Sequence, residues 1–128
     1  MNDLEGAIRA ALVEEKLSCA QAFVVTAKQR VEPIQVGQEA SRLGLRINRC
    51  QLGLFGYDEQ GEKRIVKAEA SVTESLKEAI QAKLVEGRLP CRAAWEIAEE
   101  HGLSKLEVAN AVEGLKLRIS DCQLGCFT

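Results

Sequence analysis

Residues 4–55 and 76–127 are two versions of one sequence. Aligned at a constant offset of 72 without gaps, they share 20 of 52 residues, and the match ends on Cys50-Gln51-Leu52-Gly53 against Cys122-Gln123-Leu124-Gly125. An ungapped match of that length means that both stretches obey one structural pattern. The chain is therefore expected to be an internal duplication, in which shared positions report the fold and differing positions report what each copy does alone. Each copy, at roughly 60 residues, is marginal as an isolated core, so the two are expected to pack together. The expected boundaries are 1–67 for the first repeat, 68–75 for the junction and 76–128 for the second repeat.

Periodicity sets the element order. Leu4, Ile8, Ala11 and Leu12, and in the second copy Leu76, Ala79, Ile80 and Leu84, recur at helical spacing, so each copy opens with a helix. Thr73 or Ser71 can cap the later one, Ser71 with Glu74 as a capping box. A second helix is expected from Ser18, boxed with Gln21, or from Pro90, which suits a first helical position. It should end near Arg30 and at Gly102, with Ala22, Phe23 and Thr26, or Ala94, Trp95 and Ala98, facing the core. A third helix begins at Glu32-Pro33 or at Ser104, boxed with Glu107, and buries Val36, Ala40 and Leu43, or Val108, Val112 and Leu115. Strand character follows at Arg46-Ile47 and from Gln51 to Tyr57, then a turn over Asp58-Glu59-Gln60-Gly61 and a strand at Arg64-Ile65-Val66, which together predict a hairpin. The second copy has sequence for the first of these strands only.

Composition excludes several classes. Hydrophobic residues make up 46% and charged residues 28% of the chain, and the longest apolar run, around Phe23-Val24-Val25, is far too short to cross a bilayer. The first twenty residues carry acids in a helical pattern, unlike a secretory signal, so a cytoplasmic location is expected. Five cysteines, an odd number, fit free thiols in a reducing compartment. A net charge of −2 makes no global case for nucleic acid, so local charge decides.

The run from Ala94 to Val108 resembles a helix-turn-helix: small Ala98 lets two helices approach, Gly102 takes the turn, Leu103 plugs the core and Val108 anchors the next helix. Thr26, Arg30, Val31 and Val36 hold the same places in the first copy, where the turn lacks its glycine. With the opening helix and the hairpin, the order resembles a winged-helix domain. The implied fold is mainly α with small β, two winged-helix-like (helix-turn-helix) repeats related by internal duplication, the second with a truncated wing. Leu89-Pro90-Cys91 with Cys122-Gln123-Leu124-Gly125-Cys126-Phe127 is also similar to a group of small prokaryotic proteins of no established function.

Charge separates the copies. Residues 26–49 hold five basic and two acidic residues, a balance of +3, whereas residues 98–121 hold three basic and five acidic, a balance of −2. Phosphate neutralisation dominates nucleic-acid affinity, so a DNA-binding face belongs to the first copy. On its third helix Gln35, Gln38, Ser41 and Arg42 lie off the apolar stripe and could read base edges, since glutamine pairs with adenine and arginine with guanine. Lys28, Arg30, Arg46, Arg49, Lys63 and Arg64 would then contact phosphates. The plain alternative is a solvated helix face, and Glu39 and Pro33 count against the site.

Cys19 and Cys91 open the second helix of each copy, where the helix dipole can stabilise a thiolate. Cys50 and Cys122 are twins, while Cys126 replaces Leu54. If residues 122–126 formed a regular strand, Cys122 and Cys126 would share a side, and Cys91 could complete a three-thiolate cluster. Zinc sites commonly use close Cys-x-x-Cys pairs, of which there are none, so the cysteines read first as small apolar core residues. The single His101 stands at the far end of its helix from Cys91, and no glycine-rich phosphate loop is present. No enzyme activity and no cofactor are expected. The expected function is a DNA-binding transcriptional regulator acting through the first helix-turn-helix, with double-stranded DNA as partner. A protein-interaction or dimerisation module using the second repeat is the alternative, and a thiol-based redox or metal sensor the third.

Overall fold

A computed structural model describes residues 3–127. Among these the chain is mainly helical, with two small sheets of two strands each. The elements run α1 (Asp3–Ala10), β1 (Leu17–Ser18), α2 (Cys19–Gln29), α3 (Pro33–Arg42), β2 (Ile47–Asn48), α4 (Glu74–Ala82), β3 (Arg88–Pro90), α5 (Cys91–His101), α6 (Lys105–Gly114) and β4 (Arg118–Ser120). The order helix, strand, helix, helix, strand thus occurs twice.

Local chemistry starts most of these helices where the sequence indicates. The Ser18 hydroxyl accepts the Gln21 N–H at 3.1 Å, and Ser104 and Glu107 exchange both bonds of a capping box at 3.0 and 3.1 Å. Glu32 and Gln35 form a box of the same kind ahead of Pro33. Each such cap satisfies an amide that the first turn would leave bare. Two details differ. Thr73, not Ser71, caps α4 by accepting the Leu76 N–H, and Pro90 is the residue before α5 and not its first turn.

The strands pair in parallel, Leu17 with Ile47 and Leu89 with Ile119, because the two intervening helices return the chain in the same direction. Both register pairs sit at the 72-residue offset. So do the left-handed backbone positions: Glu14 and Glu86, Arg30 and Gly102, Arg49 and Asp121, Gly53 and Gly125.

The expected hairpin is not formed. Residues 51–57 and 64–66 contain no strand; the chain turns at Asp58, whose carboxylate accepts the Glu62 and Lys63 N–H groups at 2.8 and 2.9 Å. It then runs along α6. The Lys67 and Glu69 amides donate to the Asn110 side chain and carbonyl at 2.9 and 3.0 Å, and Val66 and Phe55 pack on the second core. Two backbone bonds still join the segments, from the Ile65 N–H to the Gly53 carbonyl at 2.8 Å and from the Tyr57 N–H to the Lys63 carbonyl at 3.3 Å, while Leu52, Leu54, Phe55 and Val66 pack on the other half and Ile65 stays exposed.

The two cores are completed by exchange. The first gathers Ile8, Leu17, Ala22, Val25, Val36 and Ala40, with Leu124 from the end of the chain. The second gathers Leu76, Ile80, Leu89, Ile97, Val108 and Val112, with Leu52 from the first half. Leu52 and Leu124 are 0% and 3% exposed, and burying such a side chain stabilises by about 1.5–3 kcal/mol. Each half supplies the other with the leucine of its Cys-Gln-Leu-Gly segment.

Candidate functional site

The outward face of α3 carries the candidate reading residues. Val36 and Ala40 are buried beneath, while Gln35, Gln38, Ser41 and Arg42 are all exposed. Two of the four are engaged. The Gln35 amide oxygen accepts the Glu32 N–H at 2.8 Å, and the Arg42 guanidinium grips Glu39 at 2.7 and 2.8 Å and Glu5 at 3.2 Å. The bidentate Glu39 contact holds Arg42 firmly charged while neutralising it. Gln38 and Ser41 make no side-chain hydrogen bond recorded among the described residues.

The phosphate-contact candidates Lys28, Arg30, Arg46, Arg49, Lys63 and Arg64 are all exposed, but the structure does not gather all of them beside α3 as free cations. Arg46 donates to the Gln60 carbonyl at 2.6 Å and braces the 58–61 turn. Arg64 pairs with Glu113 on α6 at 3.1 Å, on the second half. Its displacement follows from that of the expected wing. The other face of α3 lies against the incoming chain end: a Cβ on Gly37 would run into the Leu124 carbonyl oxygen, and one on Gly125 would meet Ile34 Cδ1 at 2.6 Å.

A second constellation lies where the halves meet. Twin residues touch across it: Phe23 and Trp95 with ring centroids 4.3 Å apart, and Phe55 and Phe127 at 6.3 Å, edge to face. Lys105 Nζ stands 4.4 Å over the Trp95 ring, whose indole N–H is buried with no acceptor among the described residues. Gln51 donates to Cys19 Sγ at 3.7 Å and Gln123 to Cys91 Sγ at 3.5 Å, the same bond in each half. These glutamines escaped sequence reasoning, although their identity at one offset was a usable signal.

Burial decides the character of three thiols. Cys19, Cys50 and Cys91 are all buried, and desolvation pushes each upward, Cys19 to about 11. The helix-dipole expectation for Cys19 and Cys91 therefore fails: the positive end of a helix is outweighed by the loss of water around the sulfur. Cys122 behaves oppositely. A hydrogen bond shared with the Cys126 thiol, with the N–H groups of Cys126, Leu124 and Gly125, lowers the Cys122 thiol and raises that of Cys126. Residues 122–126 form a turn rather than the strand envisaged. Among the described residues Cys91, Cys122 and Cys126 make no group arranged to hold a metal ion. No described helix is long and apolar enough to cross a membrane.

Comparison with known proteins found no matching family model, no similar curated protein and no similar solved structure.

Proposed function

We propose that this chain arose by duplication of a winged-helix-like unit, and that its first helix-turn-helix binds duplex DNA as a transcriptional regulator. The observation that carries the reading is the outward face of α3, where Gln35, Gln38, Ser41 and Arg42 all stand open to solvent above a buried Val36–Ala40 stripe. Such a face presents amide, hydroxyl and guanidinium groups of the kinds that read base edges. Lys28, Arg30, Arg46, Arg49, Lys63 and Arg64 are the proposed phosphate contacts, for which Arg46 must leave the Gln60 carbonyl and Arg64 must leave Glu113. Binding requires Arg42 to exchange Glu39 and Glu5 for the nucleic acid. No catalytic role and no cofactor are part of the proposal.

The test is a titration of the full chain with duplex DNA at several salt concentrations. Each phosphate contact contributes about 0.9 to the slope of log affinity against log salt, so steep weakening is expected. Arg42→Ala and Arg46→Glu should each weaken binding by tenfold or more, on the order of 1–3 kcal/mol. Unaltered binding in both variants rules out this face. Absence of any shift points to the second reading, a protein-interaction or dimerisation module. That reading is supported by Val13 and Val85, twins at the tips of equivalent turns, which are 63% and 56% exposed.

A further inference from the structure

The Cys-Gln-Leu-Gly-x-Phe segments make the same turn twice. In the first, the Cys50 N–H donates to the Phe55 carbonyl at 3.2 Å and the Gly53 N–H to the Cys50 carbonyl at 2.8 Å; in the second, Cys122 with Phe127 and Gly125 with Cys122 repeat these bonds at 3.1 and 2.9 Å. Each turn aims three successive N–H groups at its cysteine sulfur, from residues 52–54 at Cys50 and from residues 124–126 at Cys122. Successive amides of this kind form an anion-binding concavity. The difference lies in one residue. Position 54 is a leucine packed on the second core, and the corresponding position 126 is an exposed cysteine whose thiol shares a hydrogen bond with Cys122. Cys50 is buried, whereas Cys122 is only partly buried. Only the second turn thus offers a cysteine short of full burial, an amide nest to hold its charge, and a second thiol hydrogen-bonded to it.

We infer that Cys122 and Cys126 form an oxidant-responsive dithiol pair, in which Cys122 reacts with a hydroperoxide and Cys126 resolves the product to a disulfide. The Cys122 thiolate attacks the distal peroxide oxygen. The O–O bond breaks, the departing oxygen takes up a proton and leaves as alcohol or water, and Cys122 becomes a sulfenic acid. The Cys126 sulfur then attacks Cys122 sulfur, giving its proton to the expelled hydroxyl, which leaves as water. Two electrons pass from the sulfur pair to the peroxide, and a dithiol reductant reverses the change. The hydrogen bonds that lower the Cys122 thiol favour its thiolate, the form that attacks a peroxide.

The pair is wired to the packing of the two halves. Leu124 lies between the two cysteines in sequence and fills the first core, and Gly125 abuts Ile34 of α3. A bond between the sulfurs replaces the thiol-to-thiolate contact and must redraw the turn that seats Leu124. The single Trp95, packed at a tilt against Phe23 across the same junction, reports on that seating. None of this depends on DNA binding.

The test uses the full chain, reduced and desalted, exposed to stoichiometric hydrogen peroxide. Of five thiols, two should disappear, peptide mapping should place the disulfide between Cys122 and Cys126, and dithiothreitol should restore both thiols. Trp95 emission should shift and return with the same cycle. In Cys126→Ser the disulfide is lost and dimedone should label Cys122 as a sulfenic acid at least tenfold faster than Cys19, Cys50 or Cys91. Because position 126 is exposed, that variant keeps the fold. A Cys122–Cys126 peptide that stays reduced while peroxide is consumed overturns the proposal. So does Cys122 in Cys126→Ser reacting no faster than the buried thiols.

Discussion

Arg30 and Gly102 hold the same backbone conformation, with φ of 54° and 64°, at the turn between the paired helices of each half. An arginine in this left-handed region carries a cost of about 1–2 kcal/mol from the crowding of its Cβ, which glycine escapes. The helix end imposes it regardless: the Val31 N–H reaches back to the Thr26 carbonyl at 3.3 Å, as Leu103 does to Ala98 at 2.9 Å. Glycine gives back roughly 0.5–1 kcal/mol through the freedom it loses on folding. Arg30→Gly is therefore expected to stabilise the chain by about 0.5–1 kcal/mol, raising Tm by roughly 2–4 °C. Gly102→Arg should lower it by a similar amount, both read by thermal denaturation. If Arg30 also touches phosphate, the stabilised variant should bind DNA more weakly, so stability and affinity move in opposite directions. The missing glycine made this turn the poorer match to a helix-turn-helix pattern in the sequence. Propensity is a local preference, and the packing of α2 on α3 overrides it.

At the scale of elements, the helices and their caps were legible because their signals are local: a hydroxyl or carboxylate three residues from an amide, and an apolar stripe at helical spacing. The hairpin was not. The apolar residues Leu52, Leu54 and Val66 seek burial, but the sequence does not say against which surface, and the second half covers them where a two-stranded ribbon would leave one face bare. For the same reason the face of α3 and the nearby Glu39 were readable from sequence, while Glu5, the second carboxylate on Arg42 and 37 residues away, was not. The exchanged segments yield a contrast between two glycines. Gly6 in α1 has no heavy atom within 4 Å of where a Cβ would stand, so Gly6→Ala should stabilise by about 0.5–1 kcal/mol through helix propensity alone. Gly37→Ala makes the same propensity gain in α3 but drives a Cβ into the Leu124 carbonyl. It should lower stability by roughly as much as Leu124→Ala, about 2–5 kcal/mol, by unseating the same segment. Urea denaturation measures all three. Equal stabilisation by Gly6→Ala and Gly37→Ala would show that the chain end does not dock on α3.

For the whole molecule, the exchange makes neither half complete. Without Leu124 the first core has a hole where Val36 and Ala40 face the incoming turn, and without Leu52, Phe55 and Val66 the second core is open along α6. Chains of 1–72 and 73–128 would each bury too little apolar surface to offset the entropy of ordering 72 or 56 residues at over about 1 kcal/mol each. Each piece alone is expected to lack a cooperative unfolding transition. Mixed, each carries the leucine the other needs, together with one ring of the Phe23–Trp95 and Phe55–Phe127 pairs. A one-to-one complex should therefore form, with helical circular dichroism rising and Trp95 emission moving to shorter wavelength as the indole is buried against Phe23. Because the contact is mostly apolar, the complex should survive high salt, unlike any complex with DNA. Splitting the chain removes the effective concentration that the 68–73 connection provides, so association should saturate only as the pieces are raised well above trace levels. A sigmoidal transition in either piece alone would mean that its core closes without the borrowed leucine. The exchange would then be a joint between two finished domains, and oxidation at Cys122 would have no route to the interior of the first half.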